Sequence, residues 1–252
     1  MVYLRFWHSV IAPVIAECYC KKNVAIQANL SSMIVEIPNV FTPSAVEDIL
    51  DKLSKAEFID GKKTAGWNAR EVKNNQQLKA DDPLAIALKT QTQTALSQNA
   101  LFQATVRPKE IHTLLFSRYE VGMSYGTHTD NAMMAGRWRS DVSFTLFLTP
   151  PETYTGGELV IEGQSHEQSF RLESGCAIAY PSSTLHRVDP ITAGSRWAIV
   201  GWVQSWIRDP ANREILFELD TARRSIFNSQ GKSTEFDLIS KSMTNLLRRW
   251  SE

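Results

Sequence analysis

The chain predicts an α+β fold in which a jelly roll or related double-sheet barrel is supported by N-terminal and C-terminal helices. Two observations carry this. From Ile111 onward, short segments rich in β-branched and aromatic residues follow one another, separated by Gly and Pro turns with no helix between them. On either side of that block, apolar residues recur at helical spacing behind Thr42-Pro43, Asp82-Pro83 and Asp209-Pro210. Each pair offers a capping oxygen followed by a proline where the missing N–H costs nothing.

On this reading the 252 residues divide into an extension of no assigned role (1–32), a helical support region (33–109), the strand-rich core (110–206) and a C-terminal helical region (207–252). A hydrophobic share of 43% and a charged share of 21% suit a folded domain with a sizeable core. Lys plus Arg equals Asp plus Glu at 27 each, so no global field draws nucleic acid or an anionic membrane, and neither is expected as a partner. No apolar run approaches the roughly 18–20 residues that cross a bilayer. The first twenty residues resemble a signal peptide only faintly, because His8, Pro13 and Glu17 interrupt the apolar run. Cys18, Cys20 and Cys176 make neither a spaced disulfide framework nor paired zinc knuckles, which fits a reducing cytoplasm.

Residues 1–32 show no clear period, and Met33-Ile34-Val35-Glu36-Ile37-Pro38 reads as the start of the folded domain, with Met33 a candidate first residue of the native product. Behind Thr42-Pro43, Val46, Ile49, Leu50 and Leu53 share one helical face. A second helix opens at Asp82-Pro83, turns Leu84, Ala87, Leu88 and Ala95 inward and runs to about Asn99. Between the two lie Lys62, Lys63, Arg70, Lys73 and Lys79 against Asp60 and Glu71, with Gly61, Gly66, Asn74 and Asn75 loosening the backbone. A solvated loop is the plainer expectation there; a mobile basic flap over a site is the sharper one.

Strands are expected over 111–119, 142–149, 158–162, 168–172, 176–180 and 196–207. After Asp209-Pro210, Ile215, Leu216, Leu219, Ala222 and Ile226 mark one helical side, and Phe236, Ile239, Met243, Leu246 and Trp250 mark another. These stripes are expected to pack on the barrel, and the last could instead serve a homo-oligomer contact.

The chemistry is concentrated around Tyr125-Gly126-Thr127-His128-Thr129-Asp130-Asn131. In extended backbone, His128 and Asp130 point to the same side and could grip one metal ion, although a lone pair of this kind is weak evidence. His186, at the start of a late strand, supplies a third ligand. Two imidazoles and a carboxylate leave open positions that suit non-haem Fe(II), and zinc would accept the same set. Ten residues on, Arg196 opens the apolar strand Arg196-Trp197-Ala198-Ile199-Val200-Gly201-Trp202. It is either an arginine snorkelling from a strand end, one paired with a buried acid, or a planar fork for a dicarboxylate. Asn131 is a turn residue or a support for Asp130, Trp202 is packing or pocket wall, and Cys176 reads as a small buried apolar residue. His112 and His166 fall outside the pattern.

The order His-x-Asp, distal histidine and arginine, inside a strand-rich block, resembles the Fe(II)/2-oxoglutarate-dependent dioxygenases. More narrowly, Arg118-Tyr119, Gly122 through Asn131, Arg139-Ser140-Asp141, Gly156-Gly157-Glu158-Leu159 and Tyr180-Pro181-Ser182 resemble the PKHD-type (prolyl/lysyl hydroxylase domain) hydroxylases, over about 33–226. The resemblance implies a double-stranded β-helix with Fe(2+) on His128, Asp130 and His186. It implies the distal carboxylate of 2-oxoglutarate on Arg196, with the Tyr119 hydroxyl alongside unless Tyr119 is simply a core residue. It also implies L-ascorbate as reductant and hydroxylation of an unactivated C–H bond, with release of succinate and carbon dioxide. The target implied is a prolyl or lysyl side chain of a peptide; a small molecule such as an iron-chelating metabolite fits the same residues. A metal-dependent barrel enzyme without co-substrate, and a non-catalytic ligand-binding jelly roll, stand as the other readings.

Overall fold

The computed structural model describes residues 34–163 and 165–252, so what was expected of residues 1–33 lies outside the described residues. Its first part carries β1 (Val35–Ile37), α1 (Pro43–Ser54), β2 (Phe58–Asp60), α2 (Ala69–Val72), β3 (Lys73–Asn74), β4 (Gln76–Leu78), α3 (Pro83–Gln98) and α4 (Ala100–Val106). The strand-rich block follows with β5 (Pro108–Tyr119), β6 (Ser124–His128), β7 (Met133–Met134), β8 (Trp138–Arg139), β9 (Val142–Phe147) and β10 (Thr155–Gly156). It continues with β11 (Leu159–Glu162), β12 (Glu167–Phe170), β13 (Ala177–Pro181), β14 (His186–Val188), β15 (Ile191–Ala193) and β16 (Arg196–Ser205). Helices α5 (Pro210–Gln230) and α6 (Thr234–Trp250) close the chain.

The three proline-opened helices begin where the capping pairs stand. Thr42 Oγ1 accepts from Ala45 N at 3.3 Å, Asp82 Oδ1 from Leu84 N at 2.8 Å and Asp209 Oδ1 from Ala211 N at 2.8 Å. Each bond satisfies one of the backbone donors that a helix start leaves without an intrahelical partner. Helix α1 buries Val46, Ile49 and Leu53 as its spacing requires. In α3 the buried row is Ala85, Leu88, Thr92 and Leu96, whereas Ala87, expected inside, faces solvent. The reason is Thr92, whose hydroxyl donates to Leu88 O at 2.8 Å and so can be buried in place of an apolar residue.

Two antiparallel sheets form the body. The larger runs β1-β13-β9-β16-β5-β4-β2 and the smaller β12-β11-β14-β6-β3. Helices α1, α3 and α4 cover the outer face of the larger sheet, where Leu53, Leu88, Leu96 and Phe102 pack with Phe144, Leu146 and Ile199. Phe102 meets the Phe144 ring edge-on, centroids 5.9 Å apart, and truncating so enclosed a ring costs about 3–5 kcal/mol. Between the sheets lies a second cluster in which Tyr119, Phe147, Ile178 and Tyr180 of the larger sheet meet Leu159, Ile161 and Val188 of the smaller.

The basic segment is no solvated loop. Residues 58–78 form β2, α2, β3 and β4, and they extend both sheets at one edge. In α5 the buried row is Arg213, Leu216 and Asp220, and the expected Ile215 and Ala222 are exposed. The spacing of apolar residues misled there because this helix buries charges. Arg213 Nη1 donates to Ile207 O and Arg208 O at 2.8 Å, and Asp220 accepts from both Arg223 and Arg224. The stripe of α6 packs as spaced, with Met243, Leu246 and Trp250 against Ile207 and Leu216. No helix among the described residues is long and apolar enough to cross a membrane.

Candidate metal centre

Strands β6 and β14 pair so that His128 and His186 stand directly opposite each other. Residues directly opposite on adjacent antiparallel strands project to the same face, so the register alone brings the two imidazoles together. Their ring centroids are 4.3 Å apart. Asp130, two residues past His128, places Oδ1 4.0 Å from His128 Nε2 and Oδ2 3.7 Å from His186 Nε2. One ligand atom from each residue lies within 4.8 Å of the other two.

The ring orientations are set by backbone carbonyls. His128 Nδ1 lies 2.8 Å from Gly126 O and His186 Nδ1 3.0 Å from Thr184 O. A carbonyl only accepts, so each Nδ1 carries the proton and each Nε2 offers its lone pair to the shared point. Burial and the adjacent His186 ring hold the His128 imidazole down to about 4, which keeps it neutral near pH 7. Asp130 Oδ2 accepts from Ser143 Oγ at 2.6 Å, and Ser182 Oγ lies 2.8 Å from Ser143 Oγ. The donor set, two imidazole nitrogens and one carboxylate in a buried corner, fits ferrous iron with open positions remaining.

The three ligands line a cavity of about 200 Å³ between the sheets. Its wall also includes Tyr119, Tyr125, Tyr180 and Trp202, and from the basic segment Thr64, Lys73, Asn75 and Gln77. Gly66 of that segment touches Asn131, where an added Cβ would sit 3.2 Å from Oδ1. Asn131 therefore packs under the segment, and the support for Asp130 comes from Ser143.

Arg196 begins β16 opposite Tyr119 on β5. It is only 1% exposed, and Nε, Nη1 and Nη2 make no well-formed hydrogen bond among the described residues. Its guanidinium carbon stands 5.4 Å from the Tyr119 ring centroid and 5.1 Å from that of Phe147. The Tyr154 hydroxyl is buried close enough to Arg196 for a loose hydrogen bond, and burial pushes the ionisation of Tyr154 up, with Arg196 opposing. Among the described residues Arg196 neither reaches solvent nor meets an acid, against both the snorkelling and the ion-paired alternative. Arg196 lies behind Tyr119, which is the one of the pair that lines the cavity.

A model of the 2OG-Fe(II) oxygenase superfamily matches residues 114–204. A PKHD-type hydroxylase of Picosynechococcus sp. is 62% identical over 220 residues, covering 87% of this chain and 100% of the relative. Another, from Gloeothece citriformis, is 60% identical over 221 residues at the same coverage. The chain belongs to the PKHD-type hydroxylases. Among solved structures, a Trichoplax adhaerens prolyl hydroxylase in complex with a hypoxia inducible factor oxygen degradation domain peptide fragment aligns with TM-score 0.52. That likeness, at 14% identity over 81% of this chain and 92% of the other, is one of fold. An oxidoreductase of the 2OG-Fe(II) oxygenase family from Burkholderia pseudomallei aligns with TM-score 0.50 at 16% identity, over 70% and 85% of the two chains.

The hydroxylase thus brings together His128, Asp130 and His186 as the spacing suggested, with Arg196 and Tyr119 paired behind them. Sequence reasoning passed over Ser143 and Ser182. The available signal was the alternation in Val142-Ser143-Phe144-Thr145-Leu146-Phe147, where two hydroxyls interrupt an otherwise apolar strand. It also left Lys73 among the loop charges, although Lys73 is buried at 4% exposure with its ammonium over the Tyr125 ring. Trp202 does line the cavity, and its indole nitrogen is buried without a hydrogen-bond partner among the described residues. His112 stacks on Trp138, and Cys176 is buried.

Proposed function

We propose that this hydroxylase holds ferrous iron on His128, Asp130 and His186 and the distal carboxylate of 2-oxoglutarate on Arg196, and that it hydroxylates a prolyl or lysyl side chain. The observation that carries the assignment is Arg196, a buried guanidinium behind Tyr119 whose nitrogens make no well-formed hydrogen bond and meet no acid among the described residues. Burying a charge without a partner costs several kcal/mol, and a carboxylate ligand offsets that cost. A barrel enzyme without an anionic co-substrate has no use for it, nor does an inert scaffold.

Iron and 2-oxoglutarate, when bound, supply with dioxygen an oxidative decarboxylation to succinate and carbon dioxide and the insertion of one oxygen atom into a C–H bond. The chain orients and excludes. Gly126 O and Thr184 O hold the imidazole tautomers, and Ser143 holds one carboxylate oxygen of Asp130 in place. Tyr119 and Phe147 cover the Arg196 guanidinium on two sides, and in such low-dielectric surroundings an ion pair is far stronger than in water. The Tyr119 and Tyr154 hydroxyls, kept protonated by burial and set beside Asn75 and Arg196 respectively, would donate to the same carboxylate.

The two sheets facing each other across this cavity support the double-stranded β-helix expected of the family. The family's name supports the prolyl or lysyl target. L-ascorbate is the reductant expected to rescue oxidised iron, and a reducing cytoplasm, where ferrous iron persists, is the expected compartment. Anaerobic Fe(II)-loaded protein given 2-oxoglutarate and then oxygen should release succinate, and candidate peptides should gain one oxygen at Pro or Lys by mass spectrometry. Metal-replete protein that binds no 2-oxoglutarate in calorimetry would overturn the assignment.

A further inference from the structure

We propose that Lys73 is a specificity residue that holds an anionic oxygen group of the substrate, a carboxylate or a phosphate, inside the cavity beside the metal centre. The inference rests on the co-substrate reading above. Lys73 is 4% exposed and lines the cavity. Its backbone is fixed by pairing with Tyr125 in the β3–β6 ladder. Its ammonium donates to Thr64 Oγ1 at 3.0 Å, Thr64 in turn donates to Gln77 Oε1, and Gln77 Nε2 donates to Ser117 Oγ at 3.2 Å. All four residues stand on the cavity wall. From the other side the ammonium lies 5.0 Å from the Tyr125 ring centroid, and that ring stacks on His128 at 3.7 Å. The position of the charge is therefore determined by neutral groups on two sides.

What these groups do not provide is a counter-ion. Among the described residues no acid makes an ion pair with Lys73, and Asp130 and Asp60 act on it only through space. Burial pushes its amine down to about 8, which still leaves it charged at pH 7. A buried ammonium held by hydroxyls and an aromatic face keeps most of its desolvation cost unless an anion joins it. The charges of the loaded site point the same way. A divalent iron, a dianionic co-substrate, Asp130 and Arg196 cancel, so Lys73 stands as the excess positive charge in an enclosed space. With Arg196 assigned to the co-substrate's distal carboxylate, the substrate is the source we assign to the missing anion.

The test uses the full chain loaded with Fe(II) and 2-oxoglutarate under nitrogen, so that no turnover occurs. Calorimetry with acetate and with inorganic phosphate is run on the wild type, Lys73→Met and Lys73→Arg. At least one anion should bind the wild type, with Kd raised tenfold or more in Lys73→Met and largely restored in Lys73→Arg, while 2-oxoglutarate affinity changes less than threefold. Preference for acetate assigns a substrate carboxylate, and preference for phosphate assigns a phosphate. Equal anion binding by wild type and Lys73→Met, or none by the wild type, overturns the proposal. So does loss of 2-oxoglutarate binding in Lys73→Met with iron retained, which would place Lys73 in the co-substrate site. Wild-type protein that binds no 2-oxoglutarate at all is a failure of the co-substrate reading, and it is recorded before any anion is added.

Discussion

Replacing Arg196 with Met separates a structural arginine from one waiting for a ligand. If Arg196 held the fold together through an ion pair, its removal would leave a buried acid uncompensated and cost about 3–5 kcal/mol. Among the described residues no such acid meets it; two aromatic faces and the Tyr154 hydroxyl surround a guanidinium 1% exposed with no well-formed hydrogen bond. An apolar residue of similar length in that place removes the desolvation cost and keeps most of the packing, so without ligands the variant should be as stable as the wild type or more stable by about 1–4 kcal/mol. For a domain of this size each kcal/mol moves Tm by about 2–4 °C. With 2-oxoglutarate at a hundred times its Kd, the metal-loaded wild type gains about 2.7 kcal/mol and the variant gains nothing. The wild-type melting temperature, read by scanning calorimetry in Zn(II)-loaded protein, should therefore rise relative to that of the variant as 2-oxoglutarate is added. A variant that melts well below the wild type without ligand, yet rises equally with 2-oxoglutarate, would refute the reasoning.

Three further outcomes follow from the geometry. Ser143→Ala removes the 2.6 Å hydrogen bond to Asp130 and should weaken metal affinity about 10- to 100-fold, read by competition with a chelator, with little change in Tm of the metal-free protein. Gly157→Ala asks for a Cβ at φ +70°, 2.3 Å from Ile191 Cδ1 and 3.1 Å from Arg196 Cδ; it should cost about 1–3 kcal/mol in urea unfolding and raise the Kd for 2-oxoglutarate. Lys73 titrates near 8 in the folded protein against 10.5 in the open chain, so between those values the unfolded chain holds a proton that the folded chain has released. The stability of wild type relative to Lys73→Met should rise with pH across that window by about 3 kcal/mol, in full above 10.5 and lost as pH falls to 8. A flat difference across the window would show that Lys73 is solvated.

The candidate metal ligands were legible because strand geometry constrains where their side chains can meet. His128 and Asp130 share a side by the two-residue period, and a second histidine opening a neighbouring strand needs only one register to meet them. The helix starts were legible because a cap is local. What could not be read is where burial is decided by partners distant in sequence. Lys73 is an ordinary loop lysine until β3 pairs with β6, and Arg213 and Asp220 are ordinary helix charges until carbonyls and arginines close around them. The same holds for Thr92, whose hydroxyl satisfies itself within the helix and so hides a buried face from a count of apolar residues.

Strand β9 shows how one element serves both stability and chemistry. Val142, Phe144 and Leu146 belong to the core under the helices, while Ser143 and Thr145 stand on the cavity wall. Because alternate residues of a strand go to opposite faces, the packing that fixes Phe144 against Phe102 also fixes Ser143 against Asp130. A slip of one residue in the pairing of β9 with β13 or β16 would expose three core side chains and at the same moment withdraw the hydroxyl from the metal ligand. The hydroxyl that supports the Asp130 carboxylate is thus held in position by the burial of a phenylalanine and a leucine on the far side of the sheet.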